Sequence, residues 1–155
     1  MINTLWELLE SLKPAGVVPT HARRAHTLEL ATAVLLVEVM RADGESSEAE
    51  HAAVRRILRE KFRLEGEQLE KLCALAEETS VEAHDLHGFT SRLNEGFDAG
   101  EKQAILEMLW RVAYADGQLG AHENHLMRRL GELLHVPRAA YIGTKLRAGS
   151  ADQEA

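Results

Sequence analysis

Apolar residues recur along most of this chain at the three- and four-residue spacing of amphipathic helices. Leu5, Trp6, Leu8, Leu9 and Leu12 predict a short helix over residues 4–12. Pro14, Gly16 and Pro19 then predict a linker over 13–19. The next helix runs from Thr20 to Ala42. Between Leu28 and Met40 it is apolar on nearly every side, interrupted by Glu29, Thr32 and Glu38. A helix of that kind is the buried centre of its domain. Asp43-Gly44 stops it, because Asp favours turns and Gly accepts the left-handed conformation that ends helices. Ser47 and Glu50 have the spacing of a capping box, in which the side chains exchange hydrogen bonds with each other's amides. The helix they start runs to Phe62, with Ala53, Val54, Ile57, Leu58 and Phe62 on one face. Further helices are predicted over 65–79, over 81–93 with Ser80 as the cap, over 99–115 behind an Asp98–Glu101 capping box, over 121–134, and from Pro137 to Leu146. Residues 94–100 read as a loop. Residues 148–155 are small and polar and read as a disordered tail.

No proline stands between Pro19 and Pro137. That absence, with the helical periodicity, predicts an all-α, single-domain helical bundle of about seven or eight helices. The boundaries are an N-terminal helix and linker over 1–19, the helical domain over 20–147 and the tail over 148–155. Aromatics are 5% of the chain, so Leu, Ala, Val, Ile and Met must build the core. The formal charge of −7 disfavours nucleic acid and anionic lipid, whose phosphates need clustered Lys and Arg. The lone Cys73 lies in an apolar pattern, which predicts a buried, inert thiol. The densest apolar run, Leu30 to Val37, is far short of the roughly 18 residues of a membrane span. With no secretory signal evident, the expected location is the cytoplasm.

One feature could carry chemistry. Ala42-Asp43-Gly44 with Glu50 recurs as Ala115-Asp116-Gly117 with Glu123, 73 positions on, and each copy follows an apolar helix. The spacing from Gly to Glu matches the back half of a calcium loop, where Gly is at position 6 and a bidentate Glu at position 12. The front half fails. Val39 and Arg41, and Val112 and Tyr114, stand where oxygen ligands belong. An ordinary EF-hand is therefore rejected. A site shared between two pseudo-repeated halves would instead collect Asp43, Glu50, Asp116 and Glu123, with Glu38 and Glu48 close by in sequence. Hard oxygen ligands of this kind suit calcium, magnesium or manganese.

This layout resembles the tellurite-resistance TerB family, including the TerB-like domain found beside J-domains. The resemblance covers roughly residues 25–147. It rests on Val39-Met40-Arg41-Ala42-Asp43-Gly44 with Glu50 and on Val112-Ala113-Tyr114-Ala115-Asp116-Gly117 with Glu123. It implies an all-helical fold of two similar halves and a divalent-metal site at Asp43, Glu50, Asp116 and Glu123. The second copy departs from the first in having Gly120 for Ser47 and Arg111 for Glu38.

A plainer reading stays open. Each Glu stands where a capping-box Glu would satisfy the first amides of its helix, and each Asp-Gly is a turn that needs no ligand. Glu38, a charge on an apolar helix, needs a partner, for which Arg111 is one choice. His122 and His125, like His84 and His87, have a spacing that can bind zinc, but neither pair has a third ligand or a catalytic frame. No triad order, phosphate loop or dinucleotide fingerprint is present, so an enzyme is not expected. The leading expectation is a cytoplasmic TerB-like protein that binds a divalent cation and acts through protein partners in a stress or tellurite-resistance role. The alternative is a metal-free helical interaction module, such as a homodimer.

Overall fold

The computed structural model describes residues 20–42, 47–82, 85–115 and 119–154. The expected helix over 4–12 and the linker over 13–19 lie outside them. Seven helices are described: α1 (Thr20–Met40), α2 (Glu48–Phe62), α3 (Gly66–Glu82), α4 (His87–Gly96), α5 (Ala99–Ala113), α6 (Ala121–Leu133) and α7 (Arg138–Glu154). The all-α bundle read from the sequence is the observed fold.

Helix α1 is the axis of the bundle. Every side chain from Leu30 to Val37 is buried, and α1 packs against α2, α3, α4, α5 and α6. Thr32 can be buried here because its hydroxyl donates to the Leu28 carbonyl at 2.8 Å, so no polar group is left unsatisfied. Helix α5 is the second buried helix, with Ile105, Leu106, Leu109, Trp110 and Val112 inaccessible to solvent. Helix α7 lies along α5. Between them Trp110 stacks on Tyr114 at 6.0 Å and meets the edge of Tyr141 at 5.5 Å.

The helix starts follow local chemistry. Ser47 and Asp98 both form complete capping boxes with the glutamates three residues on. Asn94 was placed in a loop by the sequence but lies in the last turns of α4. Its amide donates to the Leu133 carbonyl at 2.9 Å, so it caps the end of α6.

Two further expectations change. Ser80 does not start a helix. It lies inside α3, which continues to Glu82, because its hydroxyl bonds to Glu38 and Arg41 on α1. Those tertiary partners outweigh its capping preference. The next helix starts at His87 instead, whose amide donates to the Asp85 carboxylate at 3.0 Å. The second change is at the C-terminal end, where α7 runs on to Glu154 through the expected tail. Ala148 is buried there and Gly149 lies near the Tyr114 ring. Small side chains that read as a tail are what close packing against an aromatic ring requires.

Candidate functional site

The described parts of the two motif copies have the same backbone hydrogen bonds, displaced by 73 positions. At the end of α1 the Arg41 amide donates to Val37 at 3.0 Å and Ala42 to Val39 at 3.3 Å. At the end of α5 Tyr114 donates to Trp110 at 2.9 Å and Ala115 to Val112 at 3.1 Å. After each turn the match resumes. His51 donates to Ser47 at 3.1 Å and Asn124 to Gly120 at 3.0 Å. Residues 43–46 and 116–118 lie outside the described residues, and with them Asp43 and Asp116.

Glu50 and Glu123 are the described members of the candidate set. Each is only 1% exposed. Glu50 Oε1 accepts the Ser47 amide at 3.1 Å and the Ser47 hydroxyl at 3.2 Å, while that hydroxyl accepts the Glu50 amide at 3.1 Å. In the second copy Glu123 Oε1 accepts the Gly120 amide at 3.2 Å. Each glutamate has a further interaction besides. A carboxylate has two oxygens and about four lone-pair sites, so a cap bond to Oε1 does not exhaust its capacity as a ligand. The donors present are thus hard oxygens of the right kind for a divalent cation. Among the described residues alone, however, no three His, Cys, Asp or Glu gather into a metal-ligating group.

The structure does bring the neighbours of both motif copies together. A cavity of about 350 Å³ is lined by Glu38, Arg41 and Ala42 of the first copy, Ser80 of α3, and His122 and Leu126 of the second. Ala42 directly precedes Asp43, and His122 directly precedes Glu123. Ser80, 4% exposed, ties the charges of this cavity together. Its hydroxyl donates to Glu38 and accepts from Arg41 Nη1 at 2.9 Å. Glu38 therefore finds its partner on α3 rather than in Arg111. Arg111 lies 3.8 Å from Glu107, which also takes Arg147 Nε at 2.7 Å. The role of Ser80 had no signal in the sequence, since its partners are 42 and 39 positions away. Of the two histidine pairs, His84 lies outside the described residues. His87 Nδ1 is within 2.9 Å of the Ser91 hydroxyl on its own helix, and His122 and His125 are both exposed on α6.

The described residues form an all-helical bundle in which a buried capping glutamate stands at the start of the helix after each buried helix of the two motif copies. The family model described as tellurite resistance protein TerB matches residues 29–146, and the chain belongs to that family. No curated protein and no solved structure matches it. Among the described residues, no helix is long and apolar enough to cross a membrane.

Proposed function

We propose that this chain is a cytoplasmic TerB-family module that takes a divalent cation between its two acidic turns and acts through protein partners rather than by catalysis. Asp43, Glu50, Asp116 and Glu123 would hold the cation. Calcium, magnesium or manganese would supply the positive charge that lets these carboxylates share one site. The observation that carries the reading is the common cavity. Ala42 and His122, the residues just before Asp43 and Glu123 in sequence, both line it, which supports a site shared between the two copies. The repeated hydrogen bonding of the two copies supports the same arrangement of ligands on either side.

Calorimetry and thermal unfolding with each of the three metals test the proposal. The expected result is binding heat and a raised Tm at millimolar metal, both lost in Asp43→Asn with Asp116→Asn while the helical circular dichroism is kept. An absence of heat and of thermal shift in the unaltered chain would sink the metal half. The capping bonds of Glu50 and Glu123 favour the second reading, a metal-free helical module, because they account for two acidic residues at these positions without any ligand.

A further inference from the structure

Residues 128–147 include Arg128, Arg129, Arg138, Lys145 and Arg147 against the single acid Glu132, in a chain whose formal charge is −7. The end of α6 and most of α7 are therefore cationic on an otherwise acidic protein. A cavity of about 480 Å³ opens between them, lined by Arg128, Glu132, Val136, Arg138, Tyr141 and Ile142. Position 131, also on its wall, is a glycine that leaves room for the Tyr141 ring. A Cβ there would come within 2.7 Å of the Tyr141 ring, which lies directly against the α6 backbone.

Four of these five cations divide into two sets. Arg147 pairs with Glu107 at 2.7 Å, and Lys145 lies over the Trp110 ring at 5.1 Å. Arg128 and Arg138, at the cavity, form no salt bridge with a carboxylate among the described residues. Beside them Ile142 is 42% exposed, and Leu146, one turn further along α7, is 65% exposed. A partly apolar pocket and an apolar helix turn thus adjoin two guanidinium groups that form no salt bridge among the described residues, with Glu132 the one acid on the cavity wall.

We propose that this cavity docks an acidic amphipathic segment of a partner protein. An apolar side chain of the segment enters between Val136, Tyr141 and Ile142, and its flanking carboxylates meet Arg128 and Arg138. Charge complementarity selects an acidic occupant, because guanidinium forks bind carboxylates in a bidentate manner. The concave shape selects an inserted side chain over a flat surface. The inference rests on the partner half of the function proposed above and is independent of the metal half.

The test uses the full chain and a labelled synthetic helical peptide of leucines and glutamates, read by fluorescence anisotropy, beside a counterpart with lysines for glutamates. The acidic peptide is expected to bind, with an affinity that falls as salt is added, and the lysine peptide is not. Arg128→Glu with Arg138→Glu should weaken binding roughly tenfold or more. Ile142→Ser should weaken it too, with helicity unchanged in both variants. Equal binding of the two peptides, no binding of the acidic one, or no effect of charge reversal overturns the proposal. Binding confined to phosphatidylserine-containing vesicles overturns it in favour of a membrane. Self-association in sedimentation that the same charge reversal abolishes, without peptide binding, overturns it in favour of a second copy. Metal calorimetry on the charge-reversed variant keeps the two failures apart. A metal response without peptide binding rejects this surface and leaves the cation site standing.

Discussion

The Glu123 carboxylate takes up the Gly120 amide at 3.2 Å, and the Ser47 amide is held by Glu50 at nearly the same distance, 3.1 Å. Only the first copy adds a hydroxyl, that of Ser47, which accepts the Glu50 amide in return. That hydroxyl also donates to Glu50 Oε1 at 3.2 Å, so the two caps differ by two side-chain hydrogen bonds, and that difference can be measured. Ser47→Ala should cost about 1 kcal/mol of stability, the usual worth of an N-cap side chain. Gly120→Ser should add a few tenths of a kcal/mol, roughly the difference between Ser and Gly at this position. The Gly120 backbone is already extended, and a Cβ there would meet only the Glu123 carboxylate, at 3.4 Å. Urea titrations of the two variants give both numbers. A destabilising Gly120→Ser would mean that the second cap is not built like the first.

Ser80 joins α3 to α1 through Glu38 and Arg41 while almost wholly buried. Ser80→Ala leaves both charged partners in place without the group between them. A loss of about 1–2 kcal/mol is expected, the range for a hydrogen bond to charged groups that is removed from one side. Ser80→Gly is the wrong control, since it also weakens the helix. Ser80→Thr, which keeps the hydroxyl, should retain more stability than Ser80→Ala in the same urea series.

Gly131 faces the Tyr141 ring so closely that an added methyl group would stand 2.7 Å from Cδ2 and 3.1 Å from Cε2. Gly131→Ala gains about 1 kcal/mol of helix propensity and loses about 1–3 kcal/mol to overpacking, so the sum is neutral to destabilising. The ring cannot retreat freely, because its edge packs on Trp110 at 5.5 Å. Tryptophan fluorescence should therefore change in Gly131→Ala. In a Tyr141→Leu background the substitution should become stabilising, because the ring that opposes the methyl group is gone.

Burial raises the pKa of the Cys73 thiol above the usual cysteine range, against the opposing pull of Arg55. Burial likewise raises both Tyr114 and Tyr141, the latter partly restrained by Arg128. In each case the folded protein holds its proton to higher pH than the unfolded chain does. The unfolded state then binds fewer protons, so stability falls with rising pH. The contribution is complete below the ordinary thiol pKa of about 8.5 and is lost as pH climbs through the folded values. Urea midpoints should thus decline on the alkaline side, first through Cys73 and then through the tyrosines. Cys73→Ala should remove the earliest part of that decline. A flat profile up to the tyrosine range in the unaltered chain would contradict the buried thiol.

The described helices and most of their ends can be read from the chain alone. Apolar residues at helical spacing can be satisfied only by burying one face, and Leu30 to Val37, apolar all round, can be satisfied only at the centre. Capping boxes at Ser47 and Asp98 were equally legible, because a cap is a bond between residues three apart. The spacing of the Asp-Gly and Glu positions was legible too, and with it the family. Tertiary structure decided whatever depends on partners distant in the chain. Ser80 has the chemistry of a cap, yet it serves as a bridge because α3 lies against Glu38 and Arg41. Asn94 reads as a loop residue, yet it caps α6 from another helix. Ala148 and Gly149 read as a tail, yet they lie in a helix beside Tyr114. No local pattern could place Ala42 and His122 on one cavity, because that contact depends on how the bundle closes rather than on how any single helix forms.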